Sequence, residues 1–272
     1  MCPNCRAFIT TNDKVCPYCD FKVGPKAIER RAAADVLGGL IPHARFTTVV
    51  ILLINFGLYA ATAIHSMQAT NGGAMNLDVR TLVEFGAKYG PLIRQGEWWR
   101  LVTAGFLHGG ILHILMNSWV LFDLGAEVEN TYGTSRYVVI YVATTITGFY
   151  GSYLWSPGVS IGSSAGIFGL IGAMIALGVR ERSAYGSAVR SLYMRWAVYG
   201  LLMGLLPLFA IDNAAHIGGL VGGFAIGYVA RTPRLVGNTE IVWRGVAGIA
   251  IAVTVLSFVM MVEGLMSTTK SL

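Results

Sequence analysis

Seven nearly charge-free apolar stretches divide this chain of 272 residues. They run roughly over 47–66, 106–125, 136–155, 164–180, 194–210, 214–230 and 244–265. Each is close to the ~20 residues a helix needs to cross a bilayer. In hydrocarbon every backbone N–H and C=O must be satisfied internally, which leaves helices or closed barrels. Barrel strands would alternate polar and apolar residues over about 10 positions, and these stretches do not alternate. The expected fold class is therefore an all-α polytopic membrane protein. Charged residues make up only 12% of the chain, against about 25% in soluble domains. The 34 glycines suit helices that pack closely in lipid. The fifth stretch is the weakest, being interrupted by Gly200, Gly204 and Pro207. The connection over 67–105 is too polar to span, and its Glu97-Trp98-Trp99-Arg100 cluster suits a membrane interface.

A net charge of +6 could indicate nucleic acid, but the basic residues flank the apolar stretches instead. With the N-terminus inside, all of the 20 Lys and Arg except Arg80, Lys88, Arg94, Arg100 and Lys270 fall on the inner side. The positive-inside rule thus puts the N-terminus in the cytoplasm and the C-terminus outside. The first 25 residues are polar and Cys-rich, so no cleavable signal is expected. A bacterial inner membrane fits this pattern, with the lipid bilayer as the first partner and no nucleic acid.

All four cysteines lie at the N-terminus, as Cys2-Pro-Asn-Cys5 and Cys16-Pro-Tyr-Cys19. Two such knuckles can offer four thiolates to one tetrahedral Zn²⁺. A reducing cytoplasm disfavours the alternative of disulfides. The expected organisation is a zinc-ribbon-like module over 1–24 and a basic linker over 25–46. A six-helix core follows over 47–230, then a linker with a seventh helix over 231–272.

Two polar residues sit at the mouths of apolar stretches on the same predicted side. Gly162-Ser163-Ser164-Ala165-Gly166 opens the fourth, and His216 opens the sixth. A serine there can simply cap a helix. His216 favours chemistry instead, because ionisable residues beside membrane spans are costly. Gly219, Gly223 and Gly227 follow it on one helical face, and Gly166, Gly169 and Ala173 form a small face after Ser164. Packed together, these strips would bring Ser164 and His216 to one depth. A serine hydroxyl becomes nucleophilic when a base within hydrogen-bond reach takes its proton. Asp212 is better placed to cap the sixth helix than to orient His216, so the reading is a Ser–His dyad. His113 and Asn117, at i and i+4 on the second span, and His108 before it could donate to an oxyanion. Interhelical hydrogen bonding is their plainer alternative.

The combination of Trp99-Arg100, His113-x-x-x-Asn117, GxSxG at Ser164 and His216 with its glycines resembles the rhomboid intramembrane serine proteases. The resemblance covers about 47–230. It implies a rhomboid-like bundle of six core helices, with the C-terminal helix as an added seventh. It implies Ser164 as nucleophile and His216 as base, with an oxyanion site formed by the Ser164 N–H, His113 and Asn117. Gly162 would leave room beside that site. Glu129 matches a structural glutamate, and Phe168 stands where many rhomboids stack a tyrosine on the base. Catalysis needs no cofactor in this reading, and the substrates are transmembrane proteins cut in or near their spans. A catalytically inactive relative that binds membrane clients, or a transporter using the same polar residues, are the rival readings.

Overall fold

A computed structural model describes residues 5, 15–21, 45–69, 73–206, 211–232 and 239–269. The chain divides into two compact units, Met1–His43 and Ala44–Leu272. In the first, the backbone turns tightly between Cys16 and Phe21, with the Cys16 N–H donating to the Phe21 carbonyl at 2.9 Å. Cys2 and most of the basic linker lie outside the described residues, as does Pro207.

The second unit is a helical bundle, and the protein is a multi-pass membrane protein of the expected class. Helix α1 is Phe46–Ala69. The polar connection after it folds on itself as α2 (Val79–Glu84), α3 (Gly90–Arg94), α4 (Arg100–Thr103) and a 3-10 turn over Ala104–Phe106. Then come α5 (Ile111–Tyr132), α6 (Thr134–Trp155), α7 (Ser164–Arg180), α8 (Ala184–Met203), α9 (Asn213–Ala230) and α10 (Thr239–Thr269). No β-strand occurs among the described residues.

Three described helices suffice by length and hydropathy alone to cross a membrane: Phe46–Gln68, Ile111–Tyr132 and Thr239–Ser267. The other four long helices are shorter or carry polar residues, some buried in the bundle, such as Arg136, Thr144, Thr145 and Ser152 of α6, and some exposed, such as Arg190 and Arg195 of α8. Two boundaries differ from the sequence expectation. The second helix starts at Ile111, because Gly109-Gly110 interrupts it, and continues to Tyr132. Glu129 therefore lies in its last turns. The fifth helix spans Ala184–Met203, about ten residues earlier than expected. Its start is set by Ser183, whose Oγ accepts the Gly186 N–H at 3.1 Å.

Helix α7 forms the axis. Every residue from Ala165 to Gly178 is buried, as a helix that is apolar all round requires. It packs most extensively on α9 and α8 and also contacts α6 and α5. Between α7 and α9 the contact is backbone on backbone. A Cβ on Gly227 would lie 2.6 Å from the Ala173 Cα, and one on Gly223 would strike the Gly169 carbonyl. Tyr132 of α5 ties the pair, donating to the Ala173 carbonyl at 2.8 Å. Helix α8, by contrast, barely touches α9.

Two buried charges brace the periphery. Glu129 accepts from Thr47 at 2.6 Å and Thr134 at 2.8 Å, joining α1, α5 and α6. The Arg136 guanidinium of α6 forms a bidentate pair with Glu240 of α10 (2.7 and 2.8 Å) and donates to the Ala230 carbonyl of α9. Phe258 then meets Phe106 edge to face, with centroids 5.2 Å apart, so α10 is packed onto the bundle along much of its length.

Candidate active site

The segment between α6 and α7 enters the site in an extended conformation. Its Gly162 has φ +122°, a conformation that L side chains rarely adopt. The Gly162 N–H donates to the Ala104 carbonyl at 2.9 Å, anchoring the turn. Ser163 occupies the N-cap of α7 but makes no capping hydrogen bond. Its fully buried hydroxyl lies 3.4 Å from His108 Nε2. Ser164, the first helical residue, is only partly buried. Two adjacent serines thus differ in burial: Ser163 is fully enclosed and Ser164 only partly so.

His216 lies in the first turn of α9 and is 5% exposed. Asp212 is the N-cap of this helix. One carboxylate oxygen accepts the Ala214 and Ala215 N–H groups at 3.1 and 3.2 Å, and the other accepts the Ser152 hydroxyl. Its lone pairs are directed to the helix end and to Ser152. His216 Nδ1 has no partner among the described residues. The His216 ring stacks on Phe168, with centroids 4.0 Å apart and planes at 14°. Phe168 is one helical turn below Ser164, so the stack holds the imidazole at the serine's end of α7. Phe168 also fills the space beside Gly200 of α8, where a Cβ would come within 2.6 Å of its ring.

The glycine strip of α9 seats on α7, with one change of partner. Gly219 faces the Ala165 backbone and Gly223 faces Gly169, but Gly166 turns to Tyr141 and Thr145 of α6. Ala165, not Gly166, begins the small face. Gly148 of α6 completes a three-helix junction: a Cβ there would lie 2.8 Å from both the Ala165 Cβ and the Ala215 carbonyl.

Helix α5 brings in His113. Its Nδ1 accepts the Gly109 N–H at 3.4 Å. An imidazole that accepts at Nδ1 carries its proton at Nε2. That Nε2–H faces Gly162: a Cβ on Gly162 would be 2.8 Å from His113 Nε2 and 3.6 Å from Ser164 Oγ. The bare α-carbon thus leaves a small space bordered by a hydroxyl and an N–H donor. Asn117 is 8% exposed, and one of its amide N–H groups donates back to the His113 carbonyl at 3.1 Å. His108 meets the His113 ring edge to face at 5.1 Å. Trp99 and Arg100 lie further off. Buried Arg100 donates to the Val83 carbonyl at 2.6 Å, the Ala87 carbonyl at 3.1 Å and Glu97 at 2.7 Å, with its guanidinium 4.6 Å from the Trp99 ring. These two residues organise the polar connection rather than line the serine.

Lys88, Ser152 and the Ser163–His108 contact carry no signal in the local sequence, because each acts across long chain separations.

In the first unit, the Sγ atoms of Cys5, Cys16 and Cys19 lie within 4.8 Å of one another, with those of Cys5 and Cys16 3.7 Å apart. A Zn–S distance of about 2.3 Å gives a tetrahedral edge of about 3.8 Å, so the three thiols fit the metal.

The sequence model of the Rhomboid domain family matches residues 95–233, about half of the chain. "Rhomboid protease GluP" of Bacillus subtilis is 40% identical over 164 residues, covering 60% of this chain and 32% of that protein. "RHOMBOID-like protein 7" of Arabidopsis thaliana is 34% identical over 154 residues, covering 55% and 48%. "Rhomboid-like protease 1" of Toxoplasma gondii is 31% identical over 195 residues, covering 69% and 65%. The chain thus spans between about a third and two thirds of the length of these relatives.

Proposed function

Because this chain belongs to the rhomboid family, we propose that it is an intramembrane serine endopeptidase acting through Ser164 and His216. The observation that supports this best is the junction described above. His216 is stacked on Phe168 one turn from Ser164, and Ser164 Oγ and His113 Nε2 border the same bare side of Gly162.

In this mechanism Ser164 Oγ attacks the scissile carbonyl while His216 Nε2 takes its proton. The carbonyl oxygen becomes an oxyanion beside Gly162, where His113 Nε2–H, the Ser164 N–H and the second amide N–H of Asn117 can donate. Collapse breaks the C–N bond, and the imidazolium gives its proton to the leaving amine. Water, deprotonated by His216, then hydrolyses the acyl-enzyme and restores both groups. No metal or cofactor takes part. With Asp212 occupied as a cap, the imidazole is oriented by stacking rather than by a carboxylate.

The substrates are membrane-anchored proteins cut in or next to their spans. The weak α8–α9 contact leaves an apolar groove of about 310 Å³ lined by Val198, Leu201, Leu202, Leu205, Asn213 and Ile217, which suits such a segment. The protease core is 47–230. The N-terminus faces the cytoplasm of a cell with an inner membrane, and the site opens outward. Cys2 completes a four-thiolate zinc site with Cys5, Cys16 and Cys19.

A fluorophosphonate probe tests the reading. Wild type is expected to be labelled and to cleave a single-span model substrate, and Ser164→Ala to do neither. Unlabelled, inactive wild type that still co-purifies with membrane proteins would instead favour a client-binding relative.

A further inference from the structure

We propose that Lys88 is a positioning residue for the proposed nucleophile: it clamps the segment 156–160 that delivers Ser164 into the site. The inference rests on Ser164 being that nucleophile. Lys88 lies outside the matched Rhomboid region, between α2 and α3, and is fully buried.

Its bonds all converge on one short stretch. The Nζ ammonium donates to the Ser156 carbonyl at 2.8 Å and to the Gly158 carbonyl at 2.7 Å. The Lys88 N–H donates to the Ser160 carbonyl at 3.0 Å, and the Ser160 N–H donates to the Lys88 carbonyl at 3.1 Å. Four bonds from one residue thus hold a segment that has no helix of its own. That segment contains Pro157 and Gly158 and ends two residues before Gly162. Left free, such a segment would hold many conformations.

The clamp is itself fixed from behind. Arg100 donates to the carbonyl of Ala87, the preceding residue, and to that of Val83. A path therefore runs from Glu97 through Arg100 to the Ala87 carbonyl, along the backbone to Lys88, across to 156–160 and along the backbone to Ser164. Burying an ammonium is costly unless its donors are paired, and here they are spent on carbonyls of this loop. Burial pushes the Lys88 ammonium below the usual lysine range, and the Asp212 carboxylate partly opposes that. Asp212 caps the helix that carries His216. Lys88 thus acts on the serine loop by hydrogen bonds and feels the histidine helix through charge. A displacement of about 1 Å at a reacting group can lower rates about 100-fold, so a clamp of this kind has kinetic consequences.

Lys88→Met keeps the stem and removes the donors. It is compared with wild type as full-length protein in proteoliposomes. Amide exchange over 156–163 is expected to accelerate. Fluorophosphonate labelling and kcat on a single-span substrate are expected to fall about 10–100-fold, with KM nearly unchanged. Unchanged exchange would overturn the clamp. Faster exchange with wild-type labelling and kcat would overturn its positioning role. Because exchange is read without catalysis, an unreactive wild type would defeat the Ser164 reading alone and leave the clamp to be judged by exchange.

The Lys88→Cys/Ser160→Cys double variant provides an independent arm, since facing residues of an antiparallel pair lie close enough to cross-link. Oxidation is expected to restore kcat to this variant and not to Lys88→Cys alone. A cross-linked, folded but inactive double variant would overturn the proposal. So would unfolding of both Lys88→Met and the double variant, which would make Lys88 a residue of the fold rather than of the site.

Discussion

Gly162 stands at φ +122°, and the side where a Cβ would project is bordered by both the His113 ring and Ser164 Oγ. Gly162→Ala would strain the backbone and press a methyl against the donor face of His113. The expected result is a fall in kcat of about 10²–10³-fold, the usual cost of losing one oxyanion donor, with the protein still folded. Steady-state cleavage and a circular dichroism melt check it together. At this scale much was legible in the sequence. The spacing of His216, Gly219, Gly223 and Gly227 marked one helical face, and that face packs on α7. The partner face begins at Ala165 rather than Gly166, one residue from the expected strip, because a run of small residues fits two neighbours when α6 is also adjacent. Lys88 left no trace at all. A lone lysine in a loop reads as solvated, and its burial is created by a loop 68 residues later.

At the scale of elements, α7 and α9 touch through backbone, which only glycine and alanine permit. Gly223→Leu would drive the Gly169 carbonyl away and part the helices, costing about 1–3 kcal/mol as overpacking does. It should lower the melting temperature and abolish fluorophosphonate labelling. Gly245→Leu, on a face of α10 with nothing within 4 Å, should change neither, and the pair measured side by side separates packing from bulk. Helix existence was readable because apolar length in a bilayer has few solutions. Helix ends were harder. Ser183 starts α8 among polar and basic residues, outside the apolar window, and only a hydrogen bond to Gly186 reveals it. The hydropathy of α6 understates it for the same reason, since its polar groups face partners inside the bundle.

For the whole molecule, the first compact unit carries none of the proposed catalytic residues. Purified protein should contain one zinc per chain by elemental mass spectrometry, and Cys16→Ser should lose it. Labelling of Ser164 should be unaffected in that variant, because the metal holds its own module together. The bundle itself has one dimension that bears on chemistry. Helix α7 has 17 residues, a rise of about 25 Å, against a hydrocarbon core of about 30 Å. Its far end is fixed at a charged boundary by Arg180 and Glu181. In the proposed protease the central helix is therefore a ruler that stops short, which would put Ser164 on its last mark, a few ångströms beneath the opposite surface. Under that proposal depth, more than residue identity, would select the bond: a substrate would be cut where its chain crosses that level.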